Sequence, residues 1–231
     1  MPASPIQPVI VTMPGMRQAW VRELRGCFSD QPGFHAPLVY QDNGALGAAV
    51  ATHQAIVRAT REAPGAFVLL LEDDVQAHPA APEVIRQVIV PDHVGVLSFC
   101  DMREVEEYAP DGLYERSAMG SDGRGWWGNQ ALLIHPQTAA ALAAADWFAP
   151  AIEQSAGVMV HRVTYNDGGR NCADIRLALI VHSQTRRNRY AVHVPSLFLH
   201  LGHDSLCFPG RTLGERATRN WIDQRRRFGI R

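Results

Sequence analysis

Residues 66–74, AFVLLLEDD, decide the fold of this 231-residue chain. The apolar residues from Ala66 to Leu71 have the length of one strand and no polar side chain among them, which is typical of a strand covered on both faces in a parallel sheet. Three acids, Glu72, Asp73 and Asp74, follow directly. Because the carboxyl ends of parallel strands line the ligand crevice of an open α/β sheet, this stretch predicts both the sheet and a site at its edge.

Strand-like and helix-like segments alternate on both sides of this run. We expect strands over 8–12, 36–40, 66–71, 94–99 and 190–194, and helices over 16–28, 47–62, 82–90, 136–145 and from near Asp174 onward. Residues 130–134 are a further apolar run, and the charged stretch after Asp101 is expected to be a loop. This order predicts an α/β protein with a single Rossmann-like domain and a mostly parallel central sheet.

Length and composition fit one large domain. With 46% hydrophobic residues, we expect one α/β domain over 1–205 and an Arg-rich tail over 206–231 that packs on it or extends it. No uninterrupted apolar run is long enough for a membrane span, and the N-terminus lacks the pattern of a secretion signal, so we expect a cytoplasmic protein. The cysteines form no CxxC pair and indicate neither a zinc knuckle nor a disulfide framework. They are Cys27, Cys100, Cys172 and Cys207.

Charge is distributed unevenly along the chain. Residues 186–231 contain ten Arg and three acids, a net charge of +7, whereas residues 1–185 contain twelve Arg and twenty acids, a net charge of −8, and the total is −1. All 22 basic residues are Arg, whose planar fork suits phosphate. The basic segment is either a nucleic-acid contact surface or a solvated helical face.

The three acids at the strand end favour a divalent cation. Adjacent carboxylates repel one another unless a cation or several donors compensate them, and hard oxygen ligands suit Mg²⁺ or Mn²⁺ that carries a diphosphate. The alternative is a solvated loop in which one Asp caps the next helix.

Five segments in a fixed order resemble those of known enzymes. They are Val9 to Thr12, Gly44-Ala-Leu-Gly47 with Thr52 and His53 downstream, Leu69-Leu-Leu-Glu-Asp-Asp-Val75, Trp126-Trp-Gly-Asn-Gln-Ala131, and Val194-Pro-Ser-Leu-Phe-Leu-His200-Leu-Gly-His203-Asp-Ser205. In these segments the chain resembles the GT-A glycosyltransferases, in particular bacterial and phage enzymes related to lipopolysaccharide-type transferases. The resemblance implies a GT-A fold and transfer of a sugar, as a hexosyltransferase does, from a nucleotide sugar such as a UDP-sugar.

The resemblance also implies a metal site with a DxD-type motif. Glu72 and Asp74 correspond to the acids that contact the metal and the ribose or diphosphate, and Asp74 is the principal expected ligand of Mn²⁺ or Mg²⁺. The family often adds a late histidine, whose place His200 matches better than His203. A buried histidine with a purely structural role is the alternative for His200.

Nucleotide contacts are implied at the ends of the first strands. Thr12, Pro14 and Arg17 correspond to the place where this fold meets base and ribose, and Asp73 lies among the expected donor-binding residues. Asp42 is a further candidate for base recognition. Thr12 and Pro14 could instead shape a turn, and Asp42 could cap the following helix.

Asp174 and the tryptophan pair complete the expected site. Asp174 has the chain position of the family's acceptor-side acid, which implies a general base and inversion at the anomeric carbon. A helix cap is compatible with the same residue. Trp126 and Trp127 lie in a Gly-framed loop, where they either anchor the core or stack on a base or sugar. Since two adjacent side chains do not readily face one core, we expect at least one, Trp127, to stack on the ligand.

The resemblance leaves two classes of acceptor. Some phage transferases that this chain resembles modify hydroxymethylated pyrimidines in DNA, which fits the basic segment, while a glycan or lipopolysaccharide acceptor is the alternative.

Two other classes of function are alternatives to a glycosyltransferase. A nucleotidyltransferase also uses strand-end carboxylates, but Met13-Pro-Gly-Met-Arg17 is a poor match to its Gly-rich basic loop. A nucleic-acid-binding module with unused acids is the remaining class.

Overall fold

The apolar run after Ala66 forms a central strand in the computed structural model, which describes residues 4–13, 15, 17–42, 47–100, 111–117, 130–163 and 173–201. Strands and helices alternate over residues 6–72, as the sequence predicts, whereas the described elements after them include consecutive strands and consecutive helices. The elements are β1 (Ile6–Thr12), α1 (Gln18–Phe28), β2 (Leu38–Gln41), α2 (Ala48–Glu62), β3 (Phe67–Glu72), β4 (Val75–Ala77), α3 (Ala81–Gln87), β5 (Val94–Ser98), β6 (Gly112–Ser117), β7 (Ala131–Ile134), α4 (Pro136–Ala144), α5 (Pro150–Val163), α6 (Ala173–Gln184), β8 (Arg189–Val194) and β9 (Phe198–His200).

The described strands form one seven-stranded sheet and one two-stranded ribbon. The order in the large sheet is β2-β1-β3-β7-β5-β8-β6, and the ribbon pairs β4 with β9. In the large sheet β2, β1, β3, β5 and β8 run in one direction, while β7 and β6 run in the other. The predicted α/β class with a mostly parallel central sheet is therefore confirmed.

Both faces of β3 are buried, as its unbroken apolar run predicts. Val68 and Leu70 belong to a core that includes residues of α2, α4 and α6, whereas Leu69 and Leu71 belong to a second core with residues of α1 and α3. Because side chains alternate between faces, Glu72 continues the α6 face of the strand.

Several element boundaries differ from the sequence-based expectation. The helix expected over 82–90 ends at Gln87, because Val88 adopts an extended backbone (φ −63°, ψ 133°) before Pro91. The stretch after Asp101 was expected to be a loop, but its described end forms the edge strand β6, which pairs with β8. Residues of α5, β4 and β9 carried no separate prediction, since short strands and weakly periodic helices give little sequence signal.

The ribbon of β4 and β9 brings the late part of the chain to the end of β3. Val75 pairs with His200, and the backbone N–H of Leu201 donates to the carbonyl of Asp74 at 2.8 Å. On the other side, the N–H of Leu197 donates to the carbonyl of Phe99, which follows β5, at 2.8 Å. The ribbon therefore covers the carboxyl edge of the large sheet.

None of the helices within the described ranges is both long enough and apolar enough to cross a membrane.

Candidate metal and nucleotide site

The site lies where β1, β2 and β3 end side by side. The N–H of Asp42 donates to the carbonyl of Thr12 at 2.8 Å, which joins the ends of β2 and β1. The N–H of Glu72 donates to the carbonyl of Gln130 at 3.0 Å, which joins the end of β3 to the residue before β7. Residues that are distant in sequence thus form one continuous edge, the position at which open α/β sheets bind ligands.

The three adjacent acids have different surroundings. Glu72 lies on the α6 face of β3, while Asp73 contacts Thr12 and Arg17 on the side of α1. Asp74 lies between them, in the turn that leads into β4. Glu72 is the last residue of β3, whereas Asp73 and Asp74 lie in the turn that follows, so the three carboxylates of one motif have different partners.

Asp73 anchors Thr12 and Arg17. The hydroxyl of Thr12 donates to Asp73 Oδ2 at 2.8 Å, and Arg17 Nη1 donates to Asp73 Oδ1 at 2.7 Å. The same nitrogen lies 3.0 Å from Asp74 Oδ2. Burial tends to lower the pKa of Arg17, but its bonds and charge interactions with Asp73 and Asp74 outweigh burial and raise it. Since both oxygens of Asp73 already accept hydrogen bonds, Asp73 is an anchor for neighbouring side chains in this arrangement.

Glu72, Asp74 and His200 form a cluster suited to a metal ion. One ligand atom from each lies within 4.8 Å of the others, and His200 Nε2 is 3.3 Å from Asp74 Oδ2. Asp74 Oδ1 and His200 Nδ1 are buried and have no hydrogen-bond partner among the described residues. Carboxylate oxygens suit Mn²⁺ or Mg²⁺, and the imidazole nitrogen suits a transition metal such as Mn²⁺ better than Mg²⁺. The residues present therefore fit a divalent cation, and the unsatisfied carboxylate oxygen is the observation that supports it.

The pKa values of the two carboxylates in this cluster are shifted in opposite directions. Burial raises the pKa of Glu72 well above its usual range, and the charges of Asp74, Asp174 and Asp73 add to the effect while Arg17 opposes it. Burial also tends to raise the pKa of Asp74, but the hydrogen bond and charge of His200, together with Arg17, outweigh it and lower that pKa. Before a cation binds, proton occupancy therefore favours Glu72 over Asp74.

Asp174 is close enough to this cluster to affect its charge. It lies in the first turn of α6, and its Oδ1 accepts the N–H of Ile175 at 2.9 Å. The negative charge of Asp174 is one of the causes, after burial and Asp74, that raise the pKa of Glu72. The N-cap alternative for Asp174 is wrong, because α6 begins one residue earlier, at Ala173. Its role as a general base stays a prediction.

A buried arginine that the sequence analysis did not single out holds the same helix. Arg176 is fully buried, donates from Nη1 to the carbonyl of Trp147 at 2.8 Å, and pairs through Nη2 with Glu153 at 3.0 Å. Its guanidinium carbon lies 4.4 Å from the ring centre of Phe148. These contacts fix the start of α6, and hence Asp174, against α5. The available signal was an arginine inside the apolar run of a helix, ADIRLALIV.

Asp42 is buried at the end of the second strand. It is 5% exposed, and its Oδ1 has no hydrogen-bond partner in the part of the chain that the structure describes. The alternative in which Asp42 caps the next helix is wrong, because Gly47 occupies the N-cap position of α2. The buried carboxylate oxygen is available to accept an N–H from a ligand.

Pro14, Trp126, Trp127 and His203 lie outside the described residues. The tail over 206–231 lies outside them as well.

The described arginines of the basic segment lie away from the acids. Arg186 and Arg187 precede β8 and Arg189 is its first residue, so all three lie at the opposite edge of the sheet from the end of β3. Arg187 pairs with Asp92 at 3.4 Å. Any nucleic acid that reaches the acidic cluster would therefore have to be held by other residues.

Known proteins resemble this chain only distantly. No protein-family model and no curated protein matches the chain. Matching solved structures include a glycosyltransferase involved in the glycosylation of the major capsid of PBCV-1, with a TM-score of 0.41 and 14% identity over 94% of this chain and 100% of that chain. A likeness this distant carries no conclusion about activity.

Proposed function

We propose that the protein is a metal-dependent glycosyltransferase that moves a sugar from a nucleotide sugar, with UDP as the nucleotide, to an acceptor hydroxyl. The observation that carries the proposal is the cluster of Glu72, Asp74 and His200, whose ligand atoms lie within 4.8 Å at the carboxyl edge of the sheet. A cation held there would offset the charge of a diphosphate leaving group.

The residues around the cluster have complementary chemistry for the same donor. The buried, unpartnered oxygen of Asp42 can accept an N–H from the base, and Thr12 lies beside it at the end of β1. Arg17, which holds Asp73 and Asp74, is within reach of an anion that approaches Asp74. A nucleotide diphosphate presents these features together: N–H donors at one end and negative oxygens at the other.

Asp174 is the proposed general base. Its carboxylate lies in the region of Glu72 on the α6 face, and a carboxylate there can take the proton of an acceptor hydroxyl as the new glycosidic bond forms. The proposal includes inversion, in which the acceptor oxygen attacks the anomeric carbon from the face opposite the departing diphosphate as Asp174 takes its proton. The fixed start of α6 limits the positions that this carboxylate can take.

For the acceptor, we propose a 5-hydroxymethylpyrimidine in DNA, with a glycan or lipopolysaccharide sugar as the alternative. The support for DNA is the part of the basic segment after residue 201, which contains seven Arg and three acids, a net charge of +4. Since Arg186, Arg187 and Arg189 lie at the far edge, the proposal depends on the seven arginines that follow residue 201.

The deciding experiment is incubation with a panel of nucleotide sugars and Mn²⁺, with and without DNA that contains hydroxymethylpyrimidines. Donor consumption is measured by release of nucleoside diphosphate, and transfer is measured by nucleoside mass analysis. We expect release that EDTA abolishes and, with DNA, a mass increase of one hexose on the modified base.

The outcomes separate the classes of function. Release with a glycan acceptor but not with DNA supports the glycan alternative. Transfer of a nucleotidyl group, detected as release of pyrophosphate from a nucleoside triphosphate, would support a nucleotidyltransferase instead. Absence of any metal-dependent reaction with every donor would refute the enzyme proposal and leave the nucleic-acid-binding interpretation.

A further inference from the structure

Gln130 lies directly opposite Glu72 across two paired strands. Leu71 of β3 pairs with Ala131 of β7 in antiparallel register, and the next hydrogen bond joins the N–H of Glu72 to the carbonyl of Gln130 at 3.0 Å. Opposite residues of an antiparallel pair have Cβ atoms about 4.5–5.5 Å apart and point to the same face. Gln130 and Glu72 therefore share the α6 face, where the charge of Asp174 also acts on Glu72.

The side-chain oxygen of Gln130 lacks a donor. Oε1 is buried and has no hydrogen-bond partner among the described residues. Buried amide oxygens are nearly always paired, since leaving one unpaired costs free energy. This oxygen is thus a free acceptor beside the acidic cluster, and its chemistry calls for a ligand with an O–H or N–H group.

The order of strands indicates which part of a nucleotide sugar would reach Gln130 Oε1. Asp42 and Thr12 lie at the ends of β2 and β1, the acidic cluster lies at the end of β3, and Gln130 precedes β7 on the other side of β3. A nucleotide sugar has the same linear order: base, diphosphate, sugar. If the base meets Asp42 and the diphosphate meets the cluster, the next group along the edge is the sugar. Diphosphate oxygens cannot donate to Oε1, whereas sugar hydroxyls can.

We propose that Gln130 is a specificity-determining residue that accepts a hydrogen bond from a hydroxyl of the transferred sugar. This inference rests on the proposed function, because it assumes a nucleotide-sugar donor. In this role Gln130 neither holds the cation nor moves a proton, although it lies beside Glu72 of the acidic cluster. A site that offers a hydrogen-bond acceptor to one hydroxyl discriminates against sugars that lack it or present it differently.

The test uses Gln130→Met, which keeps side-chain length and removes the amide. Calorimetry in Mn²⁺ measures binding of UDP, UDP-glucose, UDP-galactose and UDP-N-acetylglucosamine, with GDP and GDP-mannose as a second nucleotide set. We expect the variant to bind the preferred nucleotide sugar about 5- to 30-fold more weakly, the range for loss of one hydrogen bond to a buried acceptor, while its affinity for the nucleoside diphosphate is unchanged. The matched control is Gln87→Met, at an exposed position on α3, which should alter neither affinity.

Deoxy-sugar donors make the test specific. For the deoxy donor that lacks the contacted hydroxyl, wild type and Gln130→Met should bind equally. If the variant loses diphosphate and nucleotide-sugar affinity by the same factor, or its thermal stability falls with both, Gln130 has only a structural role and the inference is overturned. Unchanged nucleotide-sugar affinity overturns it too. If wild type binds none of the nucleotides, the proposed function itself fails, and this inference fails with it; that result is distinct because it appears before any variant is made.

Discussion

Replacing Arg17 with methionine tests whether the acidic cluster needs a cation to be stable. Arg17 Nη1 lies 2.7 Å from Asp73 and 3.0 Å from Asp74, and its side chain is 9% exposed. Removal of one partner from a buried ion pair costs about 3–5 kcal/mol, because the remaining charge stays buried without compensation. Since Thr12 and His200 still contact the two acids, we expect the lower end, about 3 kcal/mol.

This loss is measurable by thermal unfolding. For a chain of this size, about 3 kcal/mol corresponds to a decrease in Tm of about 6–12 °C. Arg22→Met is the matched control, because it removes the same charge from an exposed position on α1, and we expect its Tm to stay within about 2 °C of wild type. Saturating Mn²⁺ should raise the Tm of Arg17→Met more than that of wild type, since the cation replaces the missing positive charge.

The stability difference between wild type and Arg17→Met should depend on pH in a defined direction. The pKa of Asp74 is lowered from its usual 3.8, against the effect of burial, by His200 and Arg17. A lowered pKa contributes stability that is fully present above 3.8 and is lost as pH falls through the folded-state pKa. The stability difference between wild type and Arg17→Met should therefore be largest near neutral pH and shrink in acid. Equal Tm values at neutral pH, or a difference that Mn²⁺ leaves unchanged, would refute the reasoning.

Two further predictions concern activity, and a third concerns DNA binding. Asp74→Ala should abolish transfer while the protein stays folded, as judged by circular dichroism, because it removes the carboxylate closest to His200; full turnover in EDTA would contradict the metal role. Asp174→Asn should lower the single-turnover rate by about 100-fold or more with little change in donor affinity, since an amide keeps the helix-end contact but cannot take a proton; an unchanged rate would remove Asp174 from the mechanism. Neutralising Arg225, Arg226 and Arg227 together should weaken DNA binding and flatten its dependence on salt, while donor hydrolysis persists; a variant with wild-type salt dependence would contradict a DNA acceptor held by this segment.

The central strand and its acids could be predicted because their signal is local. An apolar run without alternation requires burial on both faces, and acids directly after it must emerge at the carboxyl edge. Glu72 and Asp74 were therefore expected in one site, and the structure places them there with His200. The α/β class followed from the same periodicities, repeated along the chain.

The direction of β7 and the choice of histidine depend on contacts between distant segments. The apolar residues of β7, Ala131–Ile134, do not indicate that the strand lies antiparallel between β3 and β5, because a buried apolar run has the same pattern in either direction. His200 joins the cluster because β9 pairs with β4 in a register that sets it opposite Val75. A shift of one residue would turn its side chain to the other face.

The sequence by itself determined that three carboxylates meet at one sheet edge, since strand length, apolar covering and adjacency are all properties of nine consecutive residues. Only the tertiary structure decided what each carboxylate does. Asp73 is occupied by Thr12 and Arg17, Asp74 faces His200, and Glu72 shares its face with Gln130 and the charge of Asp174. These partners come from five other parts of the chain, and their positions depend on packing and strand register, which a local pattern does not encode.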